Sequence, residues 1–253
     1  METMKYNELT ITFVDNTDIC RVSECDKNAE KVVIPRIVNN HLVIGIEEDA
    51  FKDCKNLTKV TFEEVDELPE ALYMPEITYE IGDYAFYNCS QLKKIELPEY
   101  VGYIGRSAFY GCTSLKSATF SDCYISPYAF SHCESLKTVS TVGEVSEGVF
   151  NHCKSLEVFP LSKNIEYIDE DAFQHCYALV DITIPKSVKS IDGLAFRSCY
   201  NLQKITFEDP ENWYYQSMYS LDEKSVDFSN PESNAKSLKS IDFDDGVTRF
   251  FKK

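Results

Sequence analysis

The chain has 253 residues, with 25 Lys+Arg against 42 Asp+Glu and a formal net charge of −17. That charge repels phosphate backbones and anionic lipid heads, which argues against nucleic-acid or membrane-surface binding. At 43% hydrophobic and 13% aromatic the chain is too apolar to be disordered. Its N-terminus lacks the basic and apolar stretches of a signal peptide, and its longest apolar runs, such as 42–46, fall far short of the roughly 18 residues of a spanning helix. The expectation is a soluble, acidic, globular chain.

In chain order, Leu9, Ile11 and Phe13 alternate with polar residues, which predicts a strand pair near the N-terminus. From residue 32 a repeat takes over, organised by Phe51, Phe86, Phe109, Phe130, Phe150, Phe173 and Phe196. Each is preceded by Ala except at Val149, and the spacings are 35, 23, 21, 20, 23 and 23. Three positions after each Phe stands a Cys (54, 89, 112, 133, 153, 176 and 199), and three further on a Leu. Five positions before each Phe is a branched residue, from Ile46 to Ile191. Periods of about 20–50 residues mean a solenoid.

Within one unit, Leu92-x-x-Ile95-x-Leu97 reads as a short half-buried strand. Pro98, like Pro185 further on, ends it for want of an N–H. Val101 with Ile104, and Val188 with Ile191, turn further side chains inward. Glu47, Gly82, Gly105, Ser126, Ser146, Asp169 and Asp192 stand where a helix would start, and most are N-cap types. The Ala-Phe-x-x-Cys segments are therefore expected to be one or two helical turns with Phe and Cys on one face. One unit cannot close a core, whereas stacked units can, Phe on Phe and Leu on Leu.

These residues resemble the BspA-like leucine-rich repeats, whose units read roughly L-x-x-I-x-[IL]-P-x-x-[VI]-x-x-I-G-x-x-A-F-x-x-C. Residues 92–112 and 179–199 follow that pattern closely, with Asp192 where the earlier unit has Gly105. The resemblance covers about two-thirds of the chain and departs from the family at the shortened fourth and fifth units, which lack the Pro, and at Asp122, which stands at a normally apolar position. It implies an α/β fold: a right-handed leucine-rich-repeat solenoid with a concave parallel β-sheet and short helical turns on the outer side. It also implies a binding role, often at microbial cell surfaces, although no export segment is evident. The expected organisation is a single domain: an N-terminal cap at 1–31, repeats at 32–207 with an insertion at 63–78, and a C-terminal cap at 208–253. Trp213-Tyr214-Tyr215 in the last segment reads either as an end cap over Leu202 and Phe207 or as a ligand platform.

The spacing of the ten cysteines argues against zinc and disulfides. Seven recur once per repeat as a ladder of parallel side chains, which reads as buried free thiols, while a Cys20–Cys25 bridge stays open. His132, His152 and His175 precede ladder cysteines where other units carry Asp53, Asn88, Gly111 and Ser198. Exposed turn residues are expected there, with a three-imidazole metal site as the alternative. Phosphate-loop, nucleophile-elbow and zinc-helix motifs do not occur, and 242–246 falls short of a calcium loop. No catalytic residue, cofactor or metal is expected.

The function expected is non-enzymatic protein–protein interaction or adhesion by a monomer, the alternatives being a spacer module or an enzyme with its site in the caps or insertion. Alternation places Thr61, Glu96, Thr119, Ser140, Pro160, Thr183 and Thr206 on the concave face, with the column from Lys59 and Lys94 to Lys204 near the core edge. That face lacks aromatic anchors, which hot spots favour, so a protein partner is expected also to touch Leu72, Tyr73 and Met74 of the insertion.

Overall fold

The computed structural model describes residues 1–121, 123–140, 143, 145–157, 160–217, 220–239 and 247–252. Asp122, Val158 and the 242–246 segment weighed above lie outside the described residues. At the N-terminal end β1 (Thr3–Tyr6), β2 (Leu9–Phe13) and β3 (Ile19–Cys25) form an antiparallel meander. Leu9 and Ile11 of β2 point into the core, as their alternation predicts.

The repeats then contribute two series of strands, and within each ladder equivalent strands pair in parallel one repeat apart, the first series being interrupted at the insertion and at the shortened repeats. The first series is β4 (Lys31–Ile34), β7 (Lys59–Phe62), β9 (Lys94–Glu96), β11 (Ser117–Thr119), β13 (Thr138–Val139), β15 (Asp181–Ile184) and β17 (Lys204–Phe207). The second is β6 (His41–Ile46), with β5 (Ile37–Val38) turned back against it, followed by β8 (Tyr79–Ile81), β10 (Val101–Ile104), β12 (Tyr124–Ile125), β14 (Tyr167–Ile168) and β16 (Ser190–Asp192). Register follows the repeat: Ala118 faces Ile95, and Ile182 faces Ile205. The second series starts on β3 and runs unbroken to β12. Beyond the shortened repeats it resumes at β14, with Val145 bridging to Ile168. The molecule is a β-solenoid with little helix.

The seven phenylalanines form one column through the core, each essentially without solvent exposure. Neighbouring rings stack at 4.6, 5.0, 5.1, 5.9, 5.9 and 5.3 Å between centroids, all within 22° of parallel. The widest gaps flank Phe150, beside the shortened repeats.

The Ala-Phe-x-x-Cys segments are not the helical turns expected. Each is a run of hydrogen-bonded turns: the Ala50 N–H donates to Glu47 and the Cys54 N–H to Phe51, while the intervening Phe51 and Asp53 N–H groups donate to Ala85 and Tyr87 of the next repeat. A helix would keep all of these donors for itself. It is also barred by left-handed residues two before most of the Phe (Asp49, Tyr84, Ser107, Tyr128, Gly148, Asp171) and two after every one of them. The residues that were expected to start helices instead supply the first turn's acceptor carbonyl.

The cysteines have a role beyond filling space. Each Phe carbonyl accepts the N–H of the Cys three residues on, and from Cys89 onward the thiol of the next repeat donates to that same carbonyl. These contacts are 3.1 Å for Cys89 to Phe51, 3.2 Å for Cys112 to Phe86 and 2.9 Å for Cys199 to Phe173. All ten cysteines, Cys20 and Cys25 included, are buried free thiols. Burial pushes Cys112, Cys133, Cys153 and Cys176 well above the ordinary thiol range, and Cys199 up to about 12.

At the C-terminal end β18 (Trp213–Ser217), β19 (Ser220–Val226) and β20 (Val247–Lys252) attach through β20 antiparallel to β16, and α1 (Pro231–Lys239) covers β17. Asn230 caps α1, its side-chain oxygen accepting the N–H groups of Glu232 and Ser233. Trp213 is 2% exposed. Its ring meets Phe207 at 5.0 Å, and its indole N–H donates to Asp209. It seals the core, and the platform alternative falls for this residue.

Phe173→Ala should cost about 3–5 kcal/mol and Leu115→Ala about 2–5 kcal/mol in chemical denaturation, since each removes one rung of a packed column. The thiols from Cys89 to Cys199 should label slowly with a bulky reagent until denaturant is added, being both covered and protonated.

Candidate functional site

Of the predicted face, Glu96, Thr119, Thr183 and Thr206 are exposed, as is Pro160, whereas Thr61 and Ser140 are half-buried. The Ser140 hydroxyl donates to the Phe120 carbonyl at 2.6 Å and accepts the Phe120 N–H at 3.0 Å, so it completes the ladder rather than serving a partner. The neighbouring column does not lie at the core edge. Lys59, Lys94, Thr138, Asp181 and Lys204 are exposed and Ser117 is half-buried, because residues two apart in a strand share a face. Lys94 therefore pairs with Glu96 at 2.6 Å. Thr183 and Thr206 lie opposite each other on β15 and β17, and Thr119 lies opposite Glu96. The result is a surface of hydroxyls beside exposed charges, of which Lys94 and Glu96 are paired.

The insertion does not join that face. Its only regular element is a 3-10 turn, Glu70–Leu72. Leu72, 5% exposed, closes a second small core with Leu42 and Ile44 of β6, against which Leu68, Met74, Ile19 and Ile37 also pack. This explains why β6, from Leu42 to Ile46, is buried on both faces. The insertion lies over the second series of strands, and at its end Thr78 packs so close to Gly102 that a Cβ there would sit 2.3 Å from the Thr78 methyl. Of the three predicted anchors, Tyr73 remains 68% exposed, Met74 is half-buried and Leu72 is committed to the fold.

Between the insertion and the strands runs a groove of about 350 Å³, with Arg36, Leu42, Ile44, Tyr73, Met74, Ile77, Tyr79 and Tyr100 among its lining residues. The Arg36 guanidinium carbon lies 4.0 Å from the centre of the Tyr100 ring and 6.0 Å from that of Tyr79. Its Nη1 donates to the Val43 carbonyl at 2.9 Å. Tyr79 is 2% exposed, and its hydroxyl has no hydrogen-bond partner. Burial pushes the Tyr79 and Tyr100 phenols up, with Arg36 opposing both shifts. Sequence reading missed Arg36, Tyr79 and Tyr100. By repeat position Tyr79 corresponds to Gly102, and only a register shift in the pairing of β8 with β10 sets it opposite Val101, so spacing carried no signal for it.

The three histidines occupy left-handed turn positions with φ of 59–61°, a region enriched in Asn, Asp and His and easiest for Gly. That explains the company of Asp53, Asn88, Gly111 and Ser198. The rings of His132 and His152 stack at 4.4 Å between centroids, and those of His152 and His175 lie 4.2 Å apart, tilted by 31°. Rings laid one above the next do not converge their nitrogens on one ion, and among the described residues no group of three His, Cys, Asp or Glu is placed to hold a metal. Burial, then His175 and His132, pulls His152 down to about 4. Burial likewise lowers His132 and His175.

Two series of parallel strands around a Phe, Leu and Cys core define a leucine-rich-repeat type of solenoid. The BspA type leucine rich repeat region matches in six copies, over residues 23–70, 66–147 and 143–252. The chain belongs to this family. Among solved structures it is similar to a leucine rich cell surface protein from Faecalibacterium prausnitzii, with 27% identity, a TM-score of 0.70, and 91% of this chain and 62% of that one covered. The chain thus spans less than two-thirds of that relative. A leucine-rich repeat protein from Bacteroides ovatus matches at 21% identity and TM-score 0.44, over 82% and 71% of the two chains. One from T. pallidum matches at 24% and 0.38, over 81% and 71%. No curated protein matches the chain. Among the described residues no helix is long and apolar enough to cross a membrane.

Because the His152 pKa is lower folded than unfolded, the unfolded chain binds more protons between about 6.5 and about 4. The contribution of this histidine is intact above the upper value and is lost as pH falls through the lower one. His152→Asn, which suits the left-handed backbone, should flatten that acid-side decline in melting temperature. An unchanged pH profile would show that the stack does not titrate this way. Leu72→Ala should cost about 2–5 kcal/mol in denaturation, as expected of a core residue.

Proposed function

We propose that this chain is a non-enzymatic interaction or adhesion module that binds a protein partner, acting as a monomer at a microbial cell surface. The observation that carries the reading is the groove beneath the insertion, an aromatic and apolar recess beside the exposed Tyr73. The cell-surface description of the F. prausnitzii relative supports the location. In this reading the caps and repeats form one right-handed domain whose concave side is the first series of strands. Thr119, Thr183 and Thr206 there give a broad, weak contact, with Tyr73 and the groove as the anchor.

The test is binding to surface proteins extracted from the source cells. Tyr73→Ser should weaken the partner's binding at least tenfold, about 1.4 kcal/mol, and Thr183→Arg should weaken it measurably, both with unchanged melting temperature. Retention of full affinity by both variants would move the interface elsewhere. A spacer role would show as no specific partner at all.

A further inference from the structure

We propose that the groove beneath the insertion captures the free C-terminal carboxylate of a partner peptide whose last side chain is bulky and apolar. This deepens the interaction reading above and rests on it. Three observations converge. Arg36 is held in place by the Tyr100 ring at 4.0 Å and by the Val43 carbonyl, and among the described residues no carboxylate forms an ion pair with its guanidinium. Its remaining donors suit a carboxylate, which the planar fork binds in bidentate fashion. An arginine left unpaired in a chain of net charge −17 is a site for an anion from outside.

The second observation is the Tyr79 hydroxyl, buried without a partner in the wall of the same groove. An unsatisfied buried donor is costly, and the spare acceptor lone pairs of a carboxylate held on Arg36, whose guanidinium carbon lies 6.0 Å from the centre of the Tyr79 ring, are the kind of partner that hydroxyl lacks. The third is the rest of the lining: Leu42, Ile44, Met74 and Ile77 form an apolar pocket. At about 350 Å³ it is near the small end of ligand sites, roughly 300–1,000 Å³, and fits one large side chain rather than a folded surface.

Charge selects the rest of the peptide. Glu63, whose carboxylate accepts the Arg36 backbone N–H at 3.0 Å, lies beside Arg36, and Glu64, Asp66, Glu67 and Glu70 follow it in the insertion. They oppose a polyanion but favour basic residues upstream of a single terminal carboxylate.

The probe is a fluorescently labelled pentapeptide with two lysines and a C-terminal phenylalanine, titrated into the full chain as the free acid and as the C-terminal amide. The acid should bind at least tenfold tighter than the amide. Arg36→Gln and Tyr79→Phe should each weaken the acid severalfold, and Tyr79→Phe should melt no lower than the parent because it removes an unsatisfied hydroxyl. Equal binding of acid and amide overturns the proposal, as does unchanged affinity in Tyr79→Phe. N-acetylphenylalanine binding as tightly as the peptide also overturns it, in favour of a small free acid. If neither peptide binds while Tyr73→Ser still weakens capture of the surface partner, this inference falls and the interaction reading stands.

Discussion

Each ladder phenylalanine puts its carbonyl inside the protein, where an acceptor without donors would be expensive. The solenoid answers with two donors from different repeats: the N–H of the Cys three residues on, and, through most of the stack, the thiol of the following repeat. Cysteine suits the position because it is small and apolar enough for the core and still carries a weak donor. Alanine would fill part of the volume and leave the second lone pair empty. At the N-terminal end, where no preceding Phe exists, the Asp26 carbonyl stands within 4.0 Å of Cys54 in its place.

The same economy of donors explains the turns. A helix uses its N–H groups internally and leaves none for a neighbour. Here alternate N–H groups cross to the next repeat, and the chain reverses by placing residues in the left-handed region. Asp, Asn, Gly and His at those positions are backbone solutions first. The stacked imidazoles follow from turn geometry repeated at the repeat distance, and burial, with the neighbouring His175 and His132 adding to it, holds His152 down to about 4.

The insertion shows how a local apolar surplus creates a site. Leu42 and Ile44 point away from the main core, on a strand whose other face is already buried, and need cover. Leu68, Leu72 and Met74 supply it. The cover is incomplete, so Tyr79 and Tyr100 are left along a groove with Arg36 lying over the Tyr100 ring. Removing the insertion would therefore strip a small core as well as the groove, and point changes separate binding from folding more cleanly than deletion does.

Residue identity at a fixed period was enough to read the solenoid, its family, the core columns, the buried thiols and the outward positions of Thr119, Thr183 and Thr206, because a stacked repeat forces equivalent residues into equivalent environments. Alternation likewise placed Ile95 inward and Glu96 outward. Three things were decided only by the tertiary structure. Turns prevailed over helix because donors in one repeat are claimed by acceptors in the next, which local spacing does not show. The insertion lies over the second strand series rather than beside the Thr face because Leu42 and Ile44, some 30 residues away from Leu72, needed covering. Arg36, Tyr79 and Tyr100 meet because the stack sets the turn after β4, strand β8 and the turn before β10 side by side, and no repeat position marks them in advance.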